Sequence, residues 1–345
     1  MKCYLCRTVM QPRKSNIELL RIISMLMVLA VHIDGASLGL PAPDGDFASL
    51  SARDIWRIAV ESVAIIGVNS FTMISGYFGI RLRWRGVLSF LFECIFYSVT
   101  IYIIDAALFG RFSWNGWLES WMVLTHTDLW YVPAYFGLML LSPMLNSGLD
   151  AMPRRTFQMV LGLFTVFNIW CGWWWGGEFN PTGYTIVQLI LVYMIARYIR
   201  LHVSLDDIRK RRAVIMAVYA VSLVAISATA VCMPSLMAYA YNSPFVLLST
   251  VCFFLIFLSF EFTSPVINYM AGSAFAVYLI HKSPQVWGNM LRPFVRMLWD
   301  SLPLPLFSLA AIGIVLGLYL LAVVVDPIRR MLFKAISRAV TIRME

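Results

Sequence analysis

Charge is what this sequence has least of. Asp, Glu, Lys and Arg make up only 13% of its 345 residues, 18 acidic against 27 basic. A soluble domain carries about 25% charged residues. With 60% hydrophobic residues and a mean hydropathy of +0.77, this chain has too few charges to cover a water-facing surface. Cysteine is present but without pattern. Cys94, Cys171, Cys232 and Cys252 sit in apolar runs, where the thiol acts as a small hydrophobe. Cys3 and Cys6 have CxxC spacing, yet nothing nearby supplies the two further ligands that a zinc site needs. A disulfide framework and a metal centre are therefore not expected. Low-complexity tracts, internal repeats and long polar linkers are also missing, which argues for one domain over 1–345 with a core of about 15–325. No basic soluble module exists to hold nucleic acid. A cleavable signal is not expected either, because the first apolar run is too long and has no small-residue cleavage site.

What is there is membrane-spanning helix. Runs of about 20 apolar residues, the length that crosses a bilayer, occur near 16–34, 57–80, 86–108, 128–147, 157–175, 183–200, 213–232, 244–262, 267–288 and 305–325. The fold class is an all-α polytopic transmembrane bundle of about ten helices. If the N-terminus is cytoplasmic, 20 of the 27 Lys and Arg fall in cytoplasmic segments and six in outer ones, with Arg21 inside a span. The positive-inside rule then sets both termini in the cytoplasm, with short cytoplasmic tails. The net charge of +9 is mostly this topology signal. The longest outer loops, about 35–56 and 109–127, would line an entrance for an external substrate, and a short basic helix or loop falls at 201–212.

Ionisable groups inside a span are costly and are a functional-site hypothesis by default. "RIISMLMVLAVH", residues 21–32, places an arginine and a histidine at the two ends of one apolar run. They are eleven residues apart, which at about 100 degrees per residue is three turns plus about 20 degrees. Both therefore share a face, separated by roughly 16 Å along the axis. Glu18 lies one turn before Arg21 and can pair with it. Of four histidines, His32, His126 and His281 fall at outer helix ends, and His202 lies in a cytoplasmic loop. Arg81, Arg83 and Arg85 join Arg21 on the cytoplasmic side. A guanidinium fork suits phosphate and histidine suits proton transfer near neutral pH. A ligand with phosphates at one end and a reactive group on a long arm, the shape of coenzyme A, would fit such a pair. Tryptophans in "WNGWLESW" (114–121) and "WCGWWWGG" (170–177) suit the interfacial belt, and an aromatic face can also seat a sugar ring.

The segments "SNIELLRIISMLMVLAVH", "FTMISGYFGIRLRWR", "LWYVPAYFGLMLLSPMLN", "NPTGYTIVQLILVYMIARYIR", "YNSPFVLLSTVCFFLIF" and "SAFAVYLIH" resemble, in that order, the acyltransferase-3 family of bacterial integral membrane acyltransferases. The likeness runs from about 15 to 325 and is to the branch found with capsule and surface-polysaccharide genes. Arg21 and His32 match the family's first-helix spacing, Ser75 and Gly76 its serine-glycine motif, Arg81, Arg83 and Arg85 its basic loop, and His281 its C-terminal histidine. Many relatives carry a glutamate after Trp-Ser-Leu near the fourth helix; "DLWYVPAYFG" has none. No fused extracellular SGNH-type domain is evident, so the membrane domain is expected to complete the reaction alone.

The resemblance implies transfer of an acyl group, usually acetyl, from cytoplasmic acetyl-CoA to a hydroxyl of a surface glycan or its lipid-linked precursor, in the bacterial cytoplasmic membrane and without a metal. A homo-oligomer in the lipid bilayer is compatible with it. In this reading His32 is general base or transient acyl carrier, and Arg21, Arg81, Arg83 and Arg85 hold the coenzyme A end. Ser75, Asn69, Tyr131 and His281 are candidates for stabilising the oxyanion, and Glu61 would orient a histidine. His126, Trp130, Tyr131 and Asn69 would meet the acceptor. A polytopic transporter or flippase for a polysaccharide precursor is the alternative on composition alone, although no paired broken helices mark two matching halves.

Overall fold

The computed structural model describes residues 14–41, 47–125 and 129–344. These residues are helical for 83% of the chain, with no strand among them. Helix α1 (Ser15–Val31) is followed by a π-turn at His32–Ala36, and α2 (Ala52–Ala64) by α3 (Gly67–Phe78). Next come α4 (Trp84–Phe109), α5 (Trp114–Trp121), α6 (Tyr131–Ala151) and α7 (Arg154–Phe167). Then follow α8 (Ile186–His202), α9 (Leu205–Lys210), α10 (Arg212–Cys232), α11 (Ser235–Ala238) and α12 (Pro244–Leu258). The chain closes with α13 (Pro265–Ala271), α14 (Ala274–Lys282), α15 (Pro284–Val286), α16 (Arg292–Ser301) and α17 (Leu304–Met344).

Six helical stretches are long and apolar enough to cross a membrane: Ser15–Ala36, Ala52–Phe78, Trp84–Phe109, Arg154–Trp174, Arg212–Cys232 and Leu304–Ala339. The chain is a multi-pass membrane protein. Six of the ten apolar runs read from the sequence coincide with these stretches, and those near 128–147, 183–200, 244–262 and 267–288 fall on shorter or less apolar helices. The run at 267–288 is cut into α13, α14 and α15. Pro284 excludes the helical region for the residue before it, and Ser283 is extended, with φ −57 and ψ 140. Part of the segment read as a loop at 109–127 is α5, opened by Ser113, whose side chain accepts from Gly116 N. The last helix runs past 325 because its continuation is pinned by charge. Buried Asp326 accepts from Tyr97 Oη (3.0 Å), Arg329 Nε (2.7 Å) and Arg330 Nε (2.6 Å), while Glu93 faces Arg329 at 3.4 Å. Two carboxylates and two guanidiniums balance one another, which is the condition for tolerating charge away from water.

The site is positioned by α1, which touches α2, α3, α12, α13, α14 and α17. With no hydrophobic gain between helices in lipid, close backbone approach through small residues drives their association. Two glycines of α3 provide it. A Cβ on Gly67 would lie 2.7 Å from the Ser24 carbonyl oxygen of α1, and one on Gly76 would lie 2.5 Å from the Tyr193 carbonyl oxygen of α8. Helix α3 is thus clamped between α1 and α8. Gly86 and Gly313 have open space where a Cβ would go. Gly67→Ala and Gly76→Ala should each lower the thermal midpoint of the detergent-solubilised protein by several degrees, whereas Gly86→Ala and Gly313→Ala should leave it unchanged; a fluorescence unfolding scan checks this.

Candidate active site

His32 stands where α1 changes from α to π geometry. Such bulges persist only where the surroundings hold them, and they concentrate at functional sites. Here the holding groups are numerous. Ser37 Oγ donates to His32 O (2.9 Å), Gly35 N to Glu61 Oε1 (2.6 Å), and Arg296 Nε to Ser37 O (2.7 Å). Arg57 Nε donates to Asp34 Oδ1 at 2.8 Å, and the same guanidinium reaches Gly39 O. Asp34 and Glu61 are fully buried. A Cβ on Gly35 would collide with the Glu61 carboxylate, so glycine is required at that close approach. Glu61 therefore acts on the backbone that follows His32. It accepts from Gly35 N, and among the described residues no histidine is hydrogen-bonded to it.

His281 completes the pair. Its Nδ1 lies 2.6 Å from Val277 O, and its Nε2 lies 2.8 Å from His32 Nδ1. A carbonyl oxygen only accepts, so His281 Nδ1 carries the proton. In the neutral imidazole Nε2 is then an acceptor, which makes His32 Nδ1 the donor across the 2.8 Å contact. The ring nitrogen of His32 left to take up a proton is Nε2. His281 is fully buried, and Trp287 packs edge-on against His32 with ring centroids 5.6 Å apart.

His32 lines a narrow cavity. Val28, Val31, Ala64, Ile65 and Val68 make one side apolar, and Trp130, Tyr131, Tyr241 and Tyr278 form the other. Trp130 packs against Tyr184 and Tyr241 with centroids 5.0 and 5.9 Å away. Behind this aromatic wall lies a buried amide cluster. Asn69 Nδ2 (2.9 Å) and Gln188 Nε2 (2.8 Å) both donate to Tyr241 O, Asn168 Nδ2 donates to Gln188 Oε1 (3.0 Å), and Asn180 Nδ2 donates to Asn168 Oδ1 (2.6 Å). Asn69 thus holds Tyr241 in place and does not line the cavity.

Toward the other end of α1 lies a second cavity, lined by Arg21, Ser75, Gly79, Ile80 and Tyr135 among others. Phe71 lines both cavities and is the wall between them. The Arg21 guanidinium carbon is 6.0 Å from the Phe71 ring centroid, and Arg21 Nε is 3.6 Å from Glu18 Oε2. Ser75 Oγ lies 3.1 Å from Tyr135 Oη, so Ser75 belongs to the Arg21 cavity and not to the His32 one. Arg81 and Arg83 on the link into α4, and Arg85 in its first turn, follow at once, exposed and outside the cavity lining. The turn before them is rigid. Gly79 has φ +73, Ile80 N donates to Tyr193 Oη (2.9 Å), and Asn146 Nδ2 donates to Ile80 O (2.8 Å). Arg197, beside Gly79, is held by Asp150 at 2.7 and 2.5 Å.

Structure therefore joins His32, Trp130 and Tyr131 at one cavity, with His281 outside its lining but bonded to His32, puts Arg21 and Ser75 at the other, and sets Glu61 and Asn69 behind as supports. His126 lies outside the described residues. Among the described residues no group of three His, Cys, Asp or Glu side chains is placed to hold a metal ion. Sequence reasoning passed over Phe71, Tyr241 and Tyr278. The available signal was helical spacing: Tyr278 lies one turn before His281, and Phe71 one turn before Ser75.

Residues 14–325 match the acyltransferase-3 family, described as an acyltransferase domain. The chain belongs to that family. No curated protein and no solved structure matches the chain. As a membrane acyltransferase, the protein sets His32 at one cavity and Arg21 at the other. The acyltransferase's π-turn depends on one guanidinium set against two buried carboxylates. Arg57→Ala should cost about 3–5 kcal/mol of stability by leaving that charge uncompensated. Adding Asp34→Asn and Glu61→Gln should recover most of it. Denaturant unfolding in detergent measures both.

Proposed function

We propose that this acyltransferase moves an acetyl group from cytoplasmic acetyl-CoA onto a hydroxyl of a cell-surface or exported polysaccharide, or of its lipid-linked precursor, in the cytoplasmic membrane of a bacterium. Ten spans with both termini inside belong to this reading: the 20-to-6 bias of Lys and Arg then sets the Arg21 end in the cytoplasm and the His32 end outside. The observation that carries it is the pair of cavities with Phe71 between them. Arg21, with Arg81, Arg83 and Arg85 on the adjoining link, offers guanidiniums to the phosphates of the donor. The thioester arm passes Phe71 to reach His32. There His32 Nε2 takes the proton of the acceptor hydroxyl, whose oxygen attacks the thioester carbonyl carbon. His281 holds the tautomer that leaves Nε2 basic, and the apolar lining keeps out the water that would otherwise hydrolyse the donor. Trp130 and the tyrosines beside it present flat faces to a sugar ring.

The experiment is transfer of label from [14C]acetyl-CoA to the glycan fraction of membranes containing the protein, with mass spectrometry of the surface glycan from cells with and without it. His32→Ala should cut turnover 10²–10⁴-fold, the usual worth of a general base. Arg21→Ala should act mainly by raising KM for acetyl-CoA. Phe71→Trp, which thickens the wall, should abolish transfer while leaving the protein folded in the membrane. Wild-type rates in His32→Ala and Arg21→Ala at normal protein levels would end this reading.

A further inference from the structure

The His32 cavity holds a polar feature that neither packing nor the proton path uses. Tyr131 and Tyr278 line it, both are buried, and neither phenolic hydroxyl makes a hydrogen bond of good geometry, although the Tyr131 backbone stands near the hydroxyl of Tyr278. Thr72 is the side chain nearest in kind to the Tyr131 hydroxyl, and it spends its own proton on Val68 O at 3.1 Å. A buried polar group without a partner costs stability, and a fold tolerates it where function requires it. The rings alone do not explain these residues. Tyr131 stacks on Tyr135 with centroids 5.5 Å apart and meets Tyr278 edge-on at 6.0 Å, and Tyr278 stacks on Phe275 at 6.2 Å. Phenylalanine would make the same contacts. The hydroxyls are extra, on residues that line a cavity whose remaining lining is mostly carbon.

Their position relates them to the histidine pair. Tyr278 lies one turn before His281 on α14, with ring centroids 6.0 Å apart, and His281 in turn holds His32. The other candidates for stabilising negative charge are already engaged. Ser75 is bound to Tyr135 in the Arg21 cavity, the Asn69 amide donates to Tyr241 O, and His281 has one nitrogen on Val277 and one on His32.

We propose that Tyr131 and Tyr278 are the oxyanion-stabilising donors of the acyl transfer, a reading that rests on the function proposed above. As the acceptor oxygen bonds to the thioester carbonyl carbon, its proton passes to His32 Nε2. The carbonyl π pair moves onto oxygen, where the two phenolic O–H groups donate to it. Collapse restores the carbonyl and breaks the C–S bond. The departing sulfur takes the proton back from His32, so an O-acyl ester and a free thiol leave and the enzyme is unchanged. Donors fixed in a low-dielectric cavity act most strongly on charge that develops only in the transition state.

Tyr131→Phe, Tyr278→Phe and the double variant test this, each assayed in membranes with [14C]acetyl-CoA and the endogenous glycan acceptor. The ring packing survives in all three, and thermal unfolding confirms it. Each single variant should lose 10²–10³-fold in turnover with KM for acetyl-CoA unchanged, and the double variant should lose less than the product of the two. Turnover within threefold of wild type in either single variant overturns the assignment, as does a loss confined to KM, which would make the hydroxyl a binding contact. If those variants remain active while His32→Ala is dead, the oxyanion assignment alone fails. If wild-type protein transfers no label, the acyl-transfer reading fails with it.

Discussion

A hydrogen bond of 2.8 Å between His32 and His281 joins α1 to α14, segments 249 residues apart in sequence. Because His281 spends its own proton on Val277 O, the bond has only one direction, and it leaves His32 with a single basic nitrogen. The same bond goes with Tyr278, one turn before His281 on α14, lining the cavity that His32 also lines. Chemistry at His32 thus depends on a contact that α1 cannot make alone.

The π-turn that begins at His32 serves the same end. An α-helix continuing through 32–36 would place its carbonyls and amides differently, and the observed turn is held by groups from α2 and α16 as well as its own. Buried Asp34 and Glu61 are tolerated because Arg57 and the Gly35 amide meet them. At the other end of the bundle Asp326, Arg329, Arg330 and Glu93 lock α17 to α4. Between the two charged clusters the protein is held mostly by apolar contact and by the close approach of α3 at Gly67 and Gly76. Fixed polar anchors at the ends and tight packing in the middle leave two cavities on either side of Phe71.

Much of this was legible beforehand where helix periodicity is enough. Glu18 and Arg21 are one turn apart and do pair, at 3.6 Å, because both lie on the same helix and no other element intervenes. Arg21 and His32, eleven residues apart, both face α3, where Phe71 lines the cavity of each. Ser75 and Asn69 stood out by residue type, yet one lies at the Arg21 cavity and the other behind Tyr241. Type says what a side chain can donate or accept, and only packing says which way it is taken up. Tyr278 and Phe71 carried no such mark, since an aromatic residue in an apolar helix is the commonest way of filling space in a membrane protein.

The sequence by itself determined the membrane setting, the helical class, the family and the placing of arginine and histidine on one face of the first span. These follow from composition and from the 3.6-residue repeat, which act within a single helix. The tertiary structure alone decided that His281 meets His32, that Phe71 lines two cavities, and that two buried tyrosines line one of them. Each of those is a relation between helices. It depends on how closely glycines let backbones approach and on where buried charges find partners, and local spacing carries no record of either.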